Sequence, residues 1–182
     1  MAYAPDLRPD HIAHTDLATV RIRSPLGPML LGASDEGLVL ASFVPESPEA
    51  EASRPSRPHP VLEQATRELD AYLAGALTMF TVPLAPRGTP FQLAVWRALV
   101  LIPCGERVAY RDIARAIGRV GADRAVGAAN GQNRIAIIIP CHRVIGADGT
   151  LTGYAGGLDK KRWLLEHEAR GASAYQADLF PR

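Results

Sequence analysis

The strongest constraint on the fold is a change of rhythm at Pro86-Arg87-Gly88, where a chain of short apolar runs and turns goes over to helical spacing. Upstream, Thr19-Val20-Arg21-Ile22-Arg23, Met29-Leu30-Leu31 and Leu38 to Phe43 are separated by Ser24-Pro25-Leu26-Gly27-Pro28 and Asp35-Glu36-Gly37. Proline and glycine supply the dihedrals of tight turns, so this segment predicts a meander of antiparallel strands. Pro45 to Pro60 is a loop rich in Pro, Ser, Glu and Arg. Val61, Ala65, Leu69 and Leu73, joined by Leu62 and Tyr72, then mark an amphipathic helix that runs to Ala74 and stops at Gly75. Met79 to Leu84 reads as a returning strand. Residues 1 to 85 are therefore expected to form a small α/β domain, and no chemical constellation gives it more than a scaffolding role. Its histidines, His11, His14 and His59, fall in tails or loops and are expected to be solvated.

Residues 86–88 read as a linker. Thr89-Pro90 supplies an N-cap and a first-turn proline for a helix whose apolar face is Phe91, Ala94, Val95, Ala98, Leu99 and Ile102. After Pro103-Cys104-Gly105 and the short link Arg107-Val108-Ala109, a second helix is predicted from Tyr110 to Ile117. Gly118 to Ala122 then turns, and Asp123 is placed to cap a third helix over Arg124 to Gly131. Two short helices around a glycine-containing turn make a helix-turn-helix candidate. The third helix is nearly free of bulk, with Ala125, Gly127, Ala128, Ala129 and Gly131. Each glycine costs a helix about 1 kcal/mol against alanine, so something requires small residues there. Close approach to an outside surface would require them, and so would tight packing on another helix.

A chain of 182 residues, 47% of them hydrophobic, is long enough for one large or two small cores. Met1 to Thr15 shows no apolar export segment and no stretch reaches eighteen apolar residues, so the expectation is a soluble cytoplasmic protein with no membrane span. Cys104 and Cys141 are then free thiols. Without a Cys-x-x-Cys pair or paired histidine spacing, neither a metal nor another cofactor is expected. Charge divides as the rhythm does. Residues 1–85 carry six arginines against eleven acidic residues, net −5, and residues 86–170 carry thirteen basic against seven acidic, net +6. The second half is suited to an anion, of which nucleic acid is the commonest large kind, although solvated surface charge would look the same.

The chemistry gathers around Cys141. Ile135-Ala136-Ile137-Ile138-Ile139 is a continuous apolar run, expected to be a buried strand or an inserted extended segment, and it delivers Pro140-Cys141-His142-Arg143 to its end. A reactive cysteine needs a neighbour that stabilises its thiolate, and both His142 and Arg143 are suitable types. On a strand, however, adjacent side chains point to opposite faces, so the chain has to bend before His142 can reach Cys141.

Ile-Pro-Cys-His-Arg-Val-Ile-Gly, preceded by Arg-Ala-Val-Gly-Ala-Ala-Asn-Gly-Gln-Asn and followed by Leu-Thr-Gly-Tyr-Ala-Gly-Gly and Trp-Leu-Leu-Glu-His-Glu, resembles the O6-alkylguanine-DNA alkyltransferases over about Phe91 to Glu168. The N-terminal half resembles the family only in its order of elements and in the Ser-Pro-Leu-Gly-Pro turn. The resemblance implies a ribonuclease-H-like α/β domain at 1–85, a winged-helix-like domain at 89–170 holding the DNA-binding and active sites, and a tail at 171–182.

It further implies that the third helix, with Ala125, Gly127, Ala128 and Gly131, enters the minor groove, which is only about 6 Å wide. Arg124 would replace the flipped nucleotide inside the duplex, and Tyr110 would crowd the lesion's phosphate. His142, held by Glu168, would deprotonate Cys141 through a water, and Asn133 would fix the turn leading to the cysteine. Val144, Tyr154 and Ala155 would line the base, with Tyr110 giving a proton to the departing guanine. The partner implied is double-stranded DNA containing O6-alkylguanine, bound by a monomer, with cooperativity along DNA and activity on O4-alkylthymine left open. The thioether product has no good leaving group, so each molecule acts once and needs no cofactor.

Some positions qualify this picture. Arg134 stands where many relatives carry proline, which predicts a looser turn, and Ala155 replaces a serine found in some. His167 and Glu168 could merely decorate the last helix, and Cys104 reads as a structural or surface thiol. The alternative is a non-enzymatic lesion-binding relative, which would lack the nucleophile.

Overall fold

The computed structural model describes residues 17–46 and 55–179, with side chains described as far as residue 171. The calculated meander is present as β1 (Ala18–Ile22), β2 (Met29–Ser34) and β3 (Gly37–Phe43), paired antiparallel in that order with Val20 opposite Leu31 and Leu31 opposite Ala41. Alternation sets the inner face: Ala18, Val20 and Ile22 are buried while Thr19 and Arg21 are half-exposed. Helix α1 (Pro60–Leu73) lays Leu62, Ala65, Leu69 and Tyr72 against that face. His59 is not solvated as expected. It sits at the N-cap of α1 and is buried, with Nε2 3.9 Å from Asp35. His11, His14 and residues 47–54 of the long loop lie outside the described residues.

The strand expected over Met79 to Leu84 shrinks to a single parallel bridge between Leu84 and Leu38. Glu68 of α1 is the reason. Its carboxylate accepts hydrogen bonds from the Thr81 hydroxyl and from the amides of Thr81 and Val82, so these amides are not available to a sheet, and Pro83 has no amide to offer. What remains is Leu38 N–H donating to Pro83 O at 2.8 Å and Ala85 N–H donating to Leu38 O at 2.9 Å.

The second half is helical. Helix α2 (Pro90–Val100) opens with a capping box between Thr89 and Gln92. Its deepest residues are Leu93, Val95, Trp96 and Leu99, whereas Phe91, Ala94 and Ala98 of the expected face are only half-buried. The indole of Trp96 donates to Ala129 O at 2.9 Å, which binds α2 to the helix that carries Ala129 and draws the buried stripe round to that side. A two-residue strand β4 (Val108–Ala109) leads into α3 (Tyr110–Ala116), and the turn through Gly118 and Gly121 leads to α4 (Asp123–Gly131). Ala122, not Asp123, occupies the N-cap of α4 and makes no side-chain cap. Asp123 lies in the first helical turn, where its charge still favours the positive end of the helix dipole. Strand β5 (Val144–Ile145) pairs parallel with β4, and α5 (Leu158–Leu179) closes the chain.

The apolar run Ile135–Ile139 is neither a strand nor extended. Only Ile135 meets the sheet: Ala41 N–H donates to Arg134 O and Ala136 N–H donates to Ala41 O, both at 2.8 Å. The chain then coils into a buried turn in which Ile139 N–H donates to Ile135 O and Ile137 adopts φ +72°. A β-branched residue in the left-handed region costs on the order of 1–3 kcal/mol, so the surroundings have to impose it. The outer edge of β3 is thus covered by residue 84 at one end and residue 135 at the other, and buried residues of both halves join one apolar cluster.

Gly37 carries φ +149°, and a Cβ there would stand 2.7 Å from Pro83 O. Gly37→Ala is expected to lower the unfolding free energy by about 1–3 kcal/mol in urea titration, because backbone rather than a flexible side chain is in the way. An unchanged midpoint would mean that residues 83–85 leave the edge of β3 at no cost.

Candidate active site

Asn133 builds the approach to Cys141. Its Oδ1 accepts from Ile135 N–H at 3.0 Å, and its Nδ2 donates to Ile139 O at 2.8 Å and to Ile135 O at 3.4 Å. One side chain thereby ties both ends of the turn that forces Ile137 into its strained conformation. With the Arg134 carbonyl accepting from Ala41 N–H of β3 as well, the turn is closed without a proline at position 134. Asn130, one helical turn earlier, donates to Cys141 O at 3.2 Å.

Cys141–Arg143 form a single turn of 3-10 helix. With three residues per turn, consecutive side chains diverge by roughly a third of a circle, and this replaces the strand geometry that would have sent Cys141 and His142 to opposite faces. All three residues are buried. His142 Nε2 lies 2.9 Å from Glu168 Oε1, while its Nδ1 is buried with no partner among the described residues. Arg143 sends Nε and Nη2 to the same carboxylate, at 3.0 and 2.8 Å to its two oxygens, and Nη1 to Ile102 O. The arginine therefore grips Glu168 rather than flanking the thiol.

Glu168 is 2% exposed. Beyond His142 and Arg143, it accepts from the Tyr72 hydroxyl at 2.6 Å and from Gly105 N–H at 3.1 Å. Burial pushes its pKa up, but the hydrogen bonds and charges of His142 and Arg143 outweigh that and hold the carboxyl well below the usual range. Burial likewise holds His142 below its ordinary value against the pull of Glu168, which leaves a neutral imidazole next to a carboxylate. The Nε2 proton then points at Glu168, and Nδ1 is the basic nitrogen. The Cys141 thiol is pushed up by burial, with a hydrogen bond to Asn133 and the charge of Lys161 acting the other way. The resting sulfur is a thiol, so it needs a base, and its cationic neighbour is Lys161 instead of Arg143.

Lys161 is fully buried and donates to Val144 O at 2.6 Å and Thr152 O at 2.9 Å. One lone pair of the Val144 carbonyl is therefore occupied and one remains. Tyr154, from the loop ahead of α5, is half-buried with its hydroxyl unpartnered, and its ring meets Phe43 of β3 edge-on at 6.5 Å. Ala155 next to it is exposed. Parallel pairing of β4 with β5 brings the start of α3 alongside the strand that follows the Cys141–Arg143 turn, and Tyr110 at that start meets Thr152 through their hydroxyls at 2.8 Å.

Helix α4 buries Val126, Ala129 and Asn130 and exposes Arg124, Ala125, Ala128 and Gly131. A Cβ at Gly131 would meet nothing within 4 Å, and one at Gly127 would make only ordinary contact with the Tyr110 ring at 3.7 Å. Internal packing therefore does not require either glycine.

The sequence reading missed Tyr72, Lys161, Gly105, Asn130 and the direction of Arg143. Lys161 and Glu168 were detectable: with Leu164 and Leu165 they make a stripe spaced 0, 3, 4 and 7 on the buried side of α5. Tyr72 carried no such signal, because it continues the apolar stripe of α1.

The fold and site define a two-part protein, an α/β unit followed by a helix-turn-helix unit that holds a buried cysteine. Residues 90–170 match the family profile described as 6-O-methylguanine DNA methyltransferase, DNA binding domain, and residues 20–86 match that of its ribonuclease-like domain. The methylated-DNA–protein-cysteine methyltransferase of Methanosarcina acetivorans is 51% identical over 146 residues, covering 80% of this chain and 94% of the relative. That of Mycobacterium bovis is 49% identical over 158 residues, covering 84% and 93%. A crystal structure of Mycobacterium tuberculosis OGT in complex with DNA superposes with a TM-score of 0.73 at 49% identity, covering 83% of this chain and 92% of that one. The chain belongs to the 6-O-methylguanine DNA methyltransferase family, as a DNA-binding protein whose activity is direct-reversal repair by alkyl transfer to a cysteine. Among the described residues no helix is long and apolar enough to cross a membrane.

The two buried ionisable partners make the fold sensitive to acid. Stability gained by keeping His142 neutral is complete above its free pKa of about 6.5 and is lost as pH falls toward its lower folded value. The contribution of Glu168 persists to lower pH and is lost as pH falls through its depressed folded pKa. The thermal midpoint is expected to fall between about pH 7 and about pH 5, and His142→Gln, which keeps a donor toward Glu168, should flatten that fall. An equal pH dependence in the variant would place the titrating group elsewhere.

Proposed function

We propose that Cys141 is the alkyl acceptor, that O6-alkylguanine in double-stranded DNA is the substrate, and that His142 is the base. The observation that carries this reading is the unpartnered Nδ1 of a neutral, carboxylate-held histidine in the same turn as a buried neutral thiol. A water between Sγ and Nδ1 would relay the thiol proton to Nδ1, leaving a thiolate and an imidazolium paired with Glu168. The sulfur then attacks the alkyl carbon, the C–O6 bond breaks, and its electron pair stays on the guanine, which takes up a proton. The new C–S bond is a thioether, so the protein is used once. Tyr110, at the mouth of the site, is the donor we favour for the returning proton and the residue that crowds the lesion's phosphate.

The target base has to leave the helix, because a substituent in the major groove cannot otherwise reach a buried thiol from the minor-groove side. Helix α4 suits a narrow groove, since its exposed face is Ala125, Ala128 and Gly131, with Gly127 half-exposed. Arg124, exposed in its first turn, would fill the vacated space. The Val144 carbonyl, the Tyr154 region and the backbone at Ala155 would read the extruded base. We assign an α/β domain to 1–85, a linker to 86–88 and the DNA-binding and active-site domain to 89–170, in a cytoplasmic protein that acts as a monomer; the tail expected at 171–182 is helical as far as Leu179, as the continuation of α5.

Incubation with duplex DNA containing O6-methylguanine is expected to add one methyl group to the peptide holding Cys141, and Cys141→Ser should take up none. DNA binding without a mass change would overturn the enzymatic reading in favour of a lesion binder. Arg124→Ala should slow repair in duplex DNA far more than reaction with free O6-benzylguanine, and equal loss on both would remove Arg124 from the flipping step. Gly127→Ala is expected to raise stability by about 0.5–1 kcal/mol and yet weaken DNA binding. Undiminished affinity would place α4 outside the groove.

A further inference from the structure

We propose that Tyr72, on the helix of the N-terminal domain, is a positioning residue for the transfer reaction: its hydroxyl holds Oε1 of Glu168 and thereby sets the basicity and orientation of His142. This deepens the reading above and rests on it.

Tyr72 is 1% exposed and its hydroxyl donates to Glu168 Oε1 at 2.6 Å, across 96 residues of sequence. The same oxygen is the partner of His142 Nε2 at 2.9 Å. The phenol and the imidazole thus share one carboxylate oxygen. The tyrosine is also gripped at its main chain: His167 Nε2 lies 2.7 Å from Tyr72 O, its ring meets the Tyr72 ring edge-on, and its other face stacks on Trp163 at 4.8 Å. Adjacent residues of α5, His167 and Glu168, thus hold the carbonyl and the hydroxyl of one residue of α1. That clasp leaves the phenol little freedom to move away from Oε1.

The electrostatic consequence has a sign. A donor on Oε1 disperses the carboxylate charge that would otherwise stabilise an imidazolium at His142. Without it, Glu168 pulls harder on a proton at His142, and the neutral imidazole needed to accept the thiol proton is reached only at higher pH. The other groups around the pair are Arg143 of the 3-10 turn, Cys104 of the loop after α2, Lys161 of α5, and Cys141 and Tyr154 of the site itself. All of these remain in place when only the Tyr72 oxygen is removed. Burial and the charge of Glu168 both keep the phenol protonated, so it acts as a donor throughout the working pH range.

The test is the single-turnover rate of methyl transfer to Cys141 from O6-methylguanine duplex, followed against pH in the full chain. Tyr72→Phe keeps the ring packing. It is expected to move the rising limb of the profile up by about half a pH unit or more, so that transfer below the limb is at least about threefold slower, with DNA affinity unchanged. Site-specific 3,5-difluorotyrosine at position 72, a stronger donor, should move the limb the opposite way. His167→Gln, which loosens the grip but leaves the hydroxyl, should lower the thermal midpoint and move the limb in the same direction as Tyr72→Phe but by less. If wild type transfers the methyl group while Tyr72→Phe shares its limb and rate, or loses only thermal stability, Tyr72 is a structural residue and the proposal fails. Should Tyr72→Phe not fold, coincident limbs in wild type and the difluorotyrosine protein would overturn it equally. If wild type itself takes up no methyl, the reading of the site falls first.

Discussion

The buried carboxylate of Glu168 is the constraint on which the rest of the site depends. An ionised group in the interior is tolerated only when its oxygens are fully hydrogen-bonded and its charge is paired. Glu168 meets that condition by drawing donors from three other segments: Tyr72 from α1, Gly105 from the loop after α2, and His142 with Arg143 from the 3-10 turn. Removing one partner of such a group strands the remaining charge, a cost of about 3–5 kcal/mol where pairs of this kind have been broken. The carboxylate is thus both the orienting partner of His142 and the point at which the two halves of the chain are fastened together.

The same economy operates in the backbone. Asn133 holds a turn containing a strained Ile137, and that turn ends in Pro140, after which Cys141, His142 and Arg143 wind through one turn of 3-10 helix. Three neighbours in sequence reach different places as a result: the sulfur toward Asn133 and Lys161, the imidazole and the guanidinium toward Glu168. A straight strand would have sent Cys141 and Arg143 to one face and His142 to the other. Strain at Ile137 is the counterpart of that compact arrangement.

Much of this architecture was readable before any coordinates. The strands and helices were marked by period and punctuation, and Cys141, His142, Asn133 and Glu168 by their motifs. The failures have particular causes. Met79 to Leu84 has strand composition, but Glu68 takes its amides, and a side-chain competitor leaves no periodic trace. Ile135 to Ile139 is apolar on every side, and such a run states burial without stating conformation. Arg143 looks like a thiolate stabiliser because it is two residues from a cysteine, whereas its direction was decided by a carboxylate twenty-five residues away. Tyr72 lay on a stripe of core residues, where a tyrosine and a phenylalanine are indistinguishable until the partner of the hydroxyl is known.

The scaffolding role first given to the N-terminal half therefore needs revision. A scaffold in the strict sense would supply apolar surface alone, and its contacts with the site could be exchanged for others of equal area. Here β3 seats Ile135 through two backbone hydrogen bonds, Phe43 packs on Tyr154, and Tyr72 bonds the carboxylate behind His142. Each of these fixes a different part of the candidate site: the turn before the cysteine, the loop that carries Tyr154, and the partner of the histidine. Directional contacts of this kind cannot be replaced by area. The α/β half is better regarded as the back wall of the candidate site, with the helix-turn-helix half supplying the thiol in front of it.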